Sequence, residues 1–231
     1  MLEPDGRVAM VSGAARGIGR AVVLQLLESG FSVSAGVRDR HDLPASNQLF
    51  LHRYDAEDPA SADAWAVATA ERFGRIDAVV AAAGINPLAR LLDRDDTALD
   101  ALWAVNVKGP KHLVRAAWPH LVASGNGRVA ILSSLSGKRV ANENMGYAAS
   151  KFAAVAVAHA IRREGWEAGI RATAICPGFV DTDMTAHVTK HPREQMSRPE
   201  DIAALIETVL RLPAHAVVAE LLVNCRLEPA L

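Results

Sequence analysis

Short apolar runs alternate with stretches of helical periodicity along most of the chain. Seven runs have the length and composition of strands, at residues 7–12, 31–37, 49–54, 76–84, 128–132, 170–176 and 220–225. Predicted helices lie between them and begin near Gly17, Asp58, Leu99, Met145 and Arg198. Strands that alternate with helices predict a parallel sheet joined by helical crossovers. We therefore expect an α/β fold, a doubly wound parallel sheet of about seven strands with helices on both faces.

One predicted helix carries an irregularity. The pattern at residues 99–122 is helical but contains Gly109 and Pro110. Proline removes a backbone donor, so a kink or a bulge is expected at this point. Asn106 lies just before it.

Composition limits the classes of protein that remain possible. The chain has 231 residues, half of them apolar, which is enough for one core, so we expect a single domain over residues 1–231. The 25 basic and 26 acidic residues are scattered, and the net charge of −1 does not favour a nucleic-acid partner. No apolar run approaches the roughly 20 residues of a membrane span, and the N-terminus lacks a leader pattern. We expect no nucleic-acid or membrane partner and a cytoplasmic location.

Cysteine and histidine usage predicts no metal. Cys176 and Cys225 both lie in apolar runs, which is typical of buried thiols in a reducing compartment. The eight histidines are dispersed, and the one close pair, His187 and His191, lacks an acidic or cysteine partner at ligand spacing. Positions on the surface or in a lid are expected for these two side chains.

A glycine-rich turn follows the first predicted strand. Residues 12–19 read S-G-A-A-R-G-I-G, and a helical pattern begins at Gly17. Glycines let the backbone turn tightly and approach a pyrophosphate, which the free N–H groups and dipole of a helix start stabilise. Taken alone, the motif is equally compatible with an ordinary βα turn.

Tyr147 and Lys151 form a candidate acid/base pair. A separation of four residues on a helix places the phenol and the ammonium on one face, one turn apart. A cation beside a phenol lowers its pKa from about 10, which suits a general acid/base near neutral pH. Ser134 lies thirteen residues upstream of the tyrosine, at the end of the run at 128–132. By itself a Tyr-x-x-x-Lys spacing usually reflects packing and solubility.

The order of glycine turn, strand-end serine and Tyr-x-x-x-Lys resembles the short-chain dehydrogenase/reductase family over about residues 7–225. The resemblance implies a Rossmann-type sheet and an enzyme in which Tyr147 transfers the proton and Ser134 orients the carbonyl oxygen. It also implies that Lys151 lowers the tyrosine pKa and holds the nicotinamide ribose. Asn106 would link that lysine to solvent through a helix distortion and a water.

The same resemblance implies a cofactor site at the strand ends. The implied contacts are Gly13, Arg16, Gly17, Ile18, Gly19, Arg38, Asp55, Ala82, Gly84, Tyr147, Lys151, Pro177, Gly178, Val180 and Thr182. Asp55 would accept from the adenine amino group, although it could equally cap the following turn. A short substrate lid is expected at about residues 182–198, and Asn142, Glu143 and Asn144 are expected to face the substrate.

The chain departs from the family at the fourth strand. The usual N-N-A-G is replaced by Ala81-Ala82-Ala83-Gly84, so two amide side chains that brace this strand end are absent. We expect a looser strand end there.

Cofactor choice depends on the end of the second strand. NAD-binding members of the family carry a carboxylate where this chain has Val37, followed by Arg38. Together with Arg16 in the glycine turn, Arg38 suits a 2′-phosphate, because guanidinium groups bind phosphate oxygens in a fork-like geometry. We therefore expect NADP, with NAD as the less favoured cofactor. A surface pair between Arg38 and Asp39 is the alternative.

These observations predict an oxidoreductase that transfers hydride between NADP and a small-molecule carbonyl or secondary alcohol. The alternatives are a nucleotide-binding regulatory protein without catalysis, which the intact Ser, Tyr and Lys set disfavours, and an epimerase or dehydratase, which usually has a larger C-terminal region. A homodimer or homotetramer is expected through the two long helices, one with Trp103, Leu113 and Trp118 and the other with the alanine-rich face at 153–160.

Overall fold

A computed structural model of the protein describes residues 1–39 and 42–227. Residues 40–41 and 228–231 lie outside the described residues, although they belong to the single domain predicted over residues 1–231. That domain assignment stays a prediction.

The described residues contain a seven-stranded sheet in which all paired strands are parallel. The strands are β1 (Val8–Ser12), β2 (Ser32–Val37), β3 (Leu49–Arg53), β4 (Ala78–Ala81), β5 (Arg128–Leu132), β6 (Arg171–Pro177) and β7 (Glu220–Val223). Their order across the sheet is β3-β2-β1-β4-β5-β6-β7. The predicted Rossmann-type, doubly wound parallel sheet is therefore confirmed.

Helices cover both faces of this sheet. They are α1 (Gly17–Glu28), α2 (Pro59–Phe73), α3 (Thr97–Trp103), α4 (Gly109–Ala123), α5 (Met145–Glu164) and α6 (Pro199–Arg211). One apolar core contains Trp65 from α2 and Ala154 from α5, and a second core contains Val22 from α1 and Ile202 from α6. A parallel sheet needs cover on both faces, which explains why β1 and β4 are buried along their whole length.

Local signals in the sequence set the ends of α2. Asp58 accepts a hydrogen bond from the Ala60 N–H at 2.9 Å, and Pro59 occupies the first helical position. The helix stops at Gly74, whose φ of 78° is in the left-handed region. The predicted start and end of this helix are confirmed.

The irregularity predicted near Pro110 is a π turn. It spans Ala104–Lys108 and joins α3 to α4, so Asn106 lies inside the distortion. Of the side chains expected on the helix at a subunit interface, Leu113 is fully buried, whereas Trp103 is 40% exposed.

The strand order defines where a ligand can enter. The order in which strands are added to the sheet reverses between β1 and β4. These two strands are parallel neighbours, although β2 and β3 separate them in sequence. A crevice outside the carboxyl ends of the strands is expected at such a switch point. Among the helices of the described residues, none has the length and apolar character needed to span a bilayer.

Candidate active site

All residues of the predicted site are among the described residues, and most follow the carboxyl ends of the strands. The glycine turn follows β1, and Gly13 and Gly17 have φ values of 67° and 54°, a conformation that favours glycine. Arg16 precedes α1 and forms no capping bond with its side chain. The N–H groups of Gly17, Ile18 and Gly19 lie in the first turn of α1, where such groups can donate to a pyrophosphate.

The end of β4 is braced by the serine of the glycine turn. The Ser12 hydroxyl oxygen accepts hydrogen bonds from the Ala82 N–H at 3.1 Å and the Ala83 N–H at 3.2 Å. A hydroxyl on β1 therefore fixes the main chain where the family usually has asparagine side chains on β4. The predicted loosening of this strand end is not found.

Asn106 holds the main chain two residues further on, at Ile85. Its side-chain amide accepts from the Ile85 N–H and donates to the Ile85 carbonyl, both at 3.0 Å, and it donates to the Ser150 hydroxyl at 3.0 Å. A Cβ added to Gly84 would lie 3.4 Å from Asn106 Oδ1 and 3.6 Å from Lys151 Nζ. Asn106 and Lys151 thus both lie against Gly84. The proton path assigned to Asn106 stays a prediction.

Ser134, Tyr147 and Lys151 come together beside this strand end. Ser134 follows β5, and its hydroxyl donates to the Pro177 carbonyl at 3.4 Å and accepts from the Ser136 N–H at 3.1 Å. The Ser134 hydroxyl is also near enough to the Tyr147 phenol to lower its pKa. Tyr147 and Lys151 both lie on α5, which packs against β5 and β6.

The electrostatics of this group differ from the sequence-based expectation. Burial raises the pKa of Tyr147, and the nearby Ser134 hydroxyl opposes that rise. Lys151 Nζ donates to the Leu132 carbonyl at 2.9 Å and lies 5.6 Å from the centroid of the Tyr147 ring. Burial lowers the pKa of Lys151 to about 8, with Cys176 opposing the shift. The expected lowering of the Tyr147 pKa by Lys151 is therefore wrong for this arrangement.

Two arginines flank the predicted adenosine end of the site. Arg38 follows the buried Val37 and is exposed, and it makes no hydrogen bond or ion pair with any residue that the structure describes, Asp39 included. Arg16 Nη1 lies 3.4 Å from Asp183 Oδ2, and both side chains are about three-quarters exposed. An exposed pair of this kind contributes little stability, so Arg16 can exchange its carboxylate for a phosphate at small cost.

Asp55 follows β3 and holds the next turn. Its Oδ1 accepts from the Glu57 N–H at 3.1 Å, which is the capping alternative left open by the sequence. A carboxylate has further acceptor sites, so this bond does not exclude an adenine contact.

The end of β6 approaches the glycine turn. Pro177 ends the strand, Gly178 donates its N–H to the Val223 carbonyl at 2.8 Å, and Val180 is buried. A Cβ added to Gly17 would lie 3.3 Å from Thr182 Cγ2, so Thr182 is next to the start of α1. The P-G-x-x-x-T segment and the glycine turn thus form opposite sides of one crevice.

Main-chain hydrogen bonds join the two ends of the predicted lid at residues 182–198. The Asp181 N–H donates to the Ser197 carbonyl at 2.9 Å, and the Ser197 N–H donates to the Phe179 carbonyl at 3.2 Å. Between these points the chain forms two short 3₁₀ turns, Asp183–Thr185 and Arg193–Gln195. Whether this segment moves over a substrate stays a prediction.

A histidine of the predicted lid contacts a cysteine that follows β7. His191 is buried and stacks on Phe179, with ring centroids 5.7 Å apart. Its Nε2 lies 3.4 Å from Cys225 Sγ and 3.3 Å from the Gln195 carbonyl oxygen. Cys225 lies past the end of β7 and is half-buried, so its assignment to a strand and to the buried class was wrong. Throughout residues 1–39 and 42–227, no group of three His, Cys, Asp or Glu side chains could hold a metal ion.

Two functional positions were missed or misread in the sequence. Ser12 was assigned no role beyond the turn, because a hydroxyl that braces another strand leaves no local pattern. Asn144 was expected to face the substrate, whereas it caps α5 and bonds the loop after β4. An asparagine directly before a helix was the available signal for that role.

Comparison with known proteins gives consistent results. A family model described as short chain dehydrogenase matches residues 7–193. Agropine synthesis reductase of Rhizobium rhizogenes is 36% identical over 227 residues, which make up 96% of this chain and 53% of that protein. The chain therefore spans about half the length of this relative. An uncharacterized oxidoreductase of Staphylococcus haemolyticus is 31% identical over 230 residues, 97% of this chain and 99% of its own length.

A solved structure extends the comparison to the fold. A short-chain dehydrogenase of Burkholderia cenocepacia, determined in complex with NADP, matches with a TM-score of 0.85 at 26% sequence identity. The match covers 96% of this chain and 98% of the other.

The buried ammonium of Lys151 predicts a specific pH dependence of stability. Its pKa falls from 10.5 to about 8 on burial, so between these values the folded protein binds fewer protons there than the unfolded chain. Stability therefore rises across this window and is lost as the pH falls through the folded pKa, by about 3 kcal/mol for such a shift. Urea titrations of the cofactor-free protein and of Lys151→Met across the window should show this rise only in the protein that has the lysine. Parallel pH profiles would contradict the assignment.

Proposed function

The chain belongs to the short-chain dehydrogenase family of oxidoreductases, whose members bind NAD(P), and on this premise we propose that it transfers hydride between NADP and a carbonyl or secondary alcohol of a small molecule. The observation that carries the proposal is the meeting of Ser134, Tyr147 and Lys151 at the carboxyl edge of the sheet, where the uncapped α1 also begins. A general acid/base thus lies next to a crevice that suits a dinucleotide.

The roles of the side chains follow from their contacts. When bound, the nicotinamide supplies or accepts the hydride. Tyr147 donates a proton to the carbonyl oxygen during reduction and accepts it during oxidation. Ser134, which lies near the phenol, would hold the same oxygen and polarise the carbonyl. Lys151 has the ammonium to hold the nicotinamide ribose against Gly84.

The rest of the crevice fits the remainder of the cofactor. The N–H groups at the start of α1 and the Thr182 side chain beside Gly17 would hold the pyrophosphate. Arg38 and Arg16 would hold a 2′-phosphate, and the Burkholderia cenocepacia relative was solved with NADP, which supports this cofactor over NAD. Pro177 and Val180 would lie against the nicotinamide.

Assembly through the helices is a further part of the proposal. Trp103 and Phe152 are 40% and 43% exposed on α3 and α5, although large aromatic side chains are usually covered. A second copy of the chain would cover them in a homodimer or a homotetramer.

The acid/base role predicts the effect of removing the Tyr147 hydroxyl oxygen. Tyr147→Phe should lower kcat by about 10²–10⁴, the usual contribution of a proton-transfer group, while the cofactor dissociation constant changes little. The chain has only one other tyrosine, Tyr54, whose buried hydroxyl lies 3.4 Å from the Gly109 carbonyl oxygen. Tyr54→Phe removes the same oxygen outside the site and should keep kcat. Near-normal turnover in Tyr147→Phe would refute the role.

The cofactor assignment predicts a selective loss. A bond between Arg38 and a 2′-phosphate contributes roughly 1.5–3 kcal/mol, so Arg38→Ala should weaken NADPH binding about 10- to 100-fold and leave NADH nearly unchanged. Val37→Asp should repel the phosphate and shift preference toward NADH. Fluorescence titration gives both dissociation constants. Arg115→Ala, which removes an exposed arginine paired with Asp63, is the matched control. Equal loss of both cofactors in Arg38→Ala would mean that the arginine is structural.

The assembly proposal is tested by mass. Light scattering at micromolar concentration should give a multiple of the 24.6 kDa monomer. Trp103→Arg places a charge on the exposed face and should shift the mass toward the monomer. A wild-type protein that scatters as a monomer would show that its own chain satisfies these faces.

A further inference from the structure

We propose that Asn144 is a positioning residue that fixes residues 86–89, the segment after β4, against the start of α5. The inference rests on the proposed function, because it assigns to this contact the correct placement of Tyr147, three residues further along α5. Asn144 itself lies outside the reacting group and transfers no proton.

The side chain of Asn144 forms four hydrogen bonds. Its Oδ1 accepts from the Ala89 N–H at 3.0 Å and from the Tyr147 N–H at 3.3 Å. Its Nδ2 donates to Asn86 Oδ1 at 2.9 Å and to the Pro87 carbonyl at 3.0 Å. An amide has two N–H donors and an oxygen with two lone pairs, so its capacity is fully used. One side chain thus caps the catalytic helix and binds the adjacent segment at three points.

A neighbouring contact leaves little room for this segment to move. The Gly146 N–H donates to the Ala89 carbonyl at 3.0 Å, and Ala89 is buried. A Cβ added to Gly146 would lie only 2.6 Å from the Ala89 Cβ, which is closer than two such carbons can approach. Ala89 therefore occupies a socket formed by Asn144 and Gly146.

The other end of the segment is tied to the same helix. Asn106 bonds both the N–H and the carbonyl of Ile85 and also donates to Ser150, and the Ser150 hydroxyl donates to the Tyr147 carbonyl. The chain after β4 is thus joined to α5 before and after the turn that carries Tyr147. Loss of the Asn144 contacts would remove three of the four hydrogen bonds that join residues 86–89 to Asn144 and α5.

This attachment has a direct bearing on the reaction geometry. Lys151 Nζ lies against Gly84, two residues before the segment, where the nicotinamide ribose is proposed to bind. A rigid link between the end of β4 and α5 sets the distance from that ribose to the Tyr147 phenol. A displacement of about 1 Å between reacting groups can cost about 100-fold in rate.

Two substitutions separate helix capping from segment fixation. Asn144→Ser keeps a side-chain oxygen that can cap α5, and serine caps about as well as asparagine, but its short side chain cannot reach the segment. Asn144→Asp keeps both acceptor contacts and places an oxygen opposite Asn86 Oδ1 and the Pro87 carbonyl, where Nδ2 now donates. Both variants should therefore fold; Asn144→Ser should release the segment, and Asn144→Asp should loosen it at Asn86 and Pro87.

The test measures kcat, cofactor affinity and melting temperature for both variants. We expect kcat to fall about 10- to 100-fold with the cofactor dissociation constant and the melting temperature near the wild-type values. The control is Asp58→Ala, which removes the cap of α2 away from the site. It should lower the melting temperature by about 2–4 °C and leave kcat unchanged.

Amide hydrogen exchange of residues 86–89 provides a readout that needs no substrate. Exchange there should be faster in both Asn144 variants and unchanged in Asp58→Ala. Wild-type kcat and exchange in the two Asn144 variants would overturn the proposal, as would a loss of kcat that only follows a loss of folded protein. A wild-type protein without NADP(H) turnover, combined with faster exchange in the variants, would refute the proposed function while supporting the fixation of the segment.

Discussion

The parallel direction of the seven strands is the constraint on which the candidate active site depends. Parallel strands all end at the same edge of a sheet. Residues more than a hundred positions apart in sequence, from Gly13 to Thr182, therefore meet in one crevice. One antiparallel strand would carry its contribution to the opposite edge. The same arrangement needs helices on both faces, and one of them, α5, carries Tyr147 and Lys151 into that crevice.

Within this frame, small polar side chains hold the main chain at the strand ends. Ser12, Asn106 and Asn144 each bond N–H groups or carbonyls of the segment at 82–89. An unsatisfied buried backbone group costs about 1–3 kcal/mol, so each of these side chains prevents a loss as well as fixing a position. The path of the chain after β4 is therefore set by hydrogen bonds from three different elements.

Features encoded by neighbouring residues could be predicted from the sequence, and those encoded by packing could not. The strand at 128–132 and the start and end of α2 follow from local composition and capping residues, and the structure reproduces them. The contact between Cys225 and His191 joins positions 34 residues apart and depends on how the lid folds back. The direction of the Tyr147 pKa shift was misjudged for a similar reason. Helical spacing fixes the distance of Tyr147 from Lys151 along α5, but not the surroundings of the phenol or the carbonyl that the ammonium binds.

The π turn at Ala104–Lys108 changes the direction in which the side chains of α4 point relative to those of α3. An α-helix advances about 100° per residue, so ten residues of regular helix would place Trp103 and Leu113 about 80° apart, on one broad face. A π turn accommodates one extra residue, and the same two side chains are then about 180° apart. This rotation turns Leu113 into the core while Trp103 remains exposed, and it brings Asn106 to Ile85. Deletion of one residue within the turn would restore a regular helix and keep this 180° relation, because nine residues of regular helix also turn by about 180°.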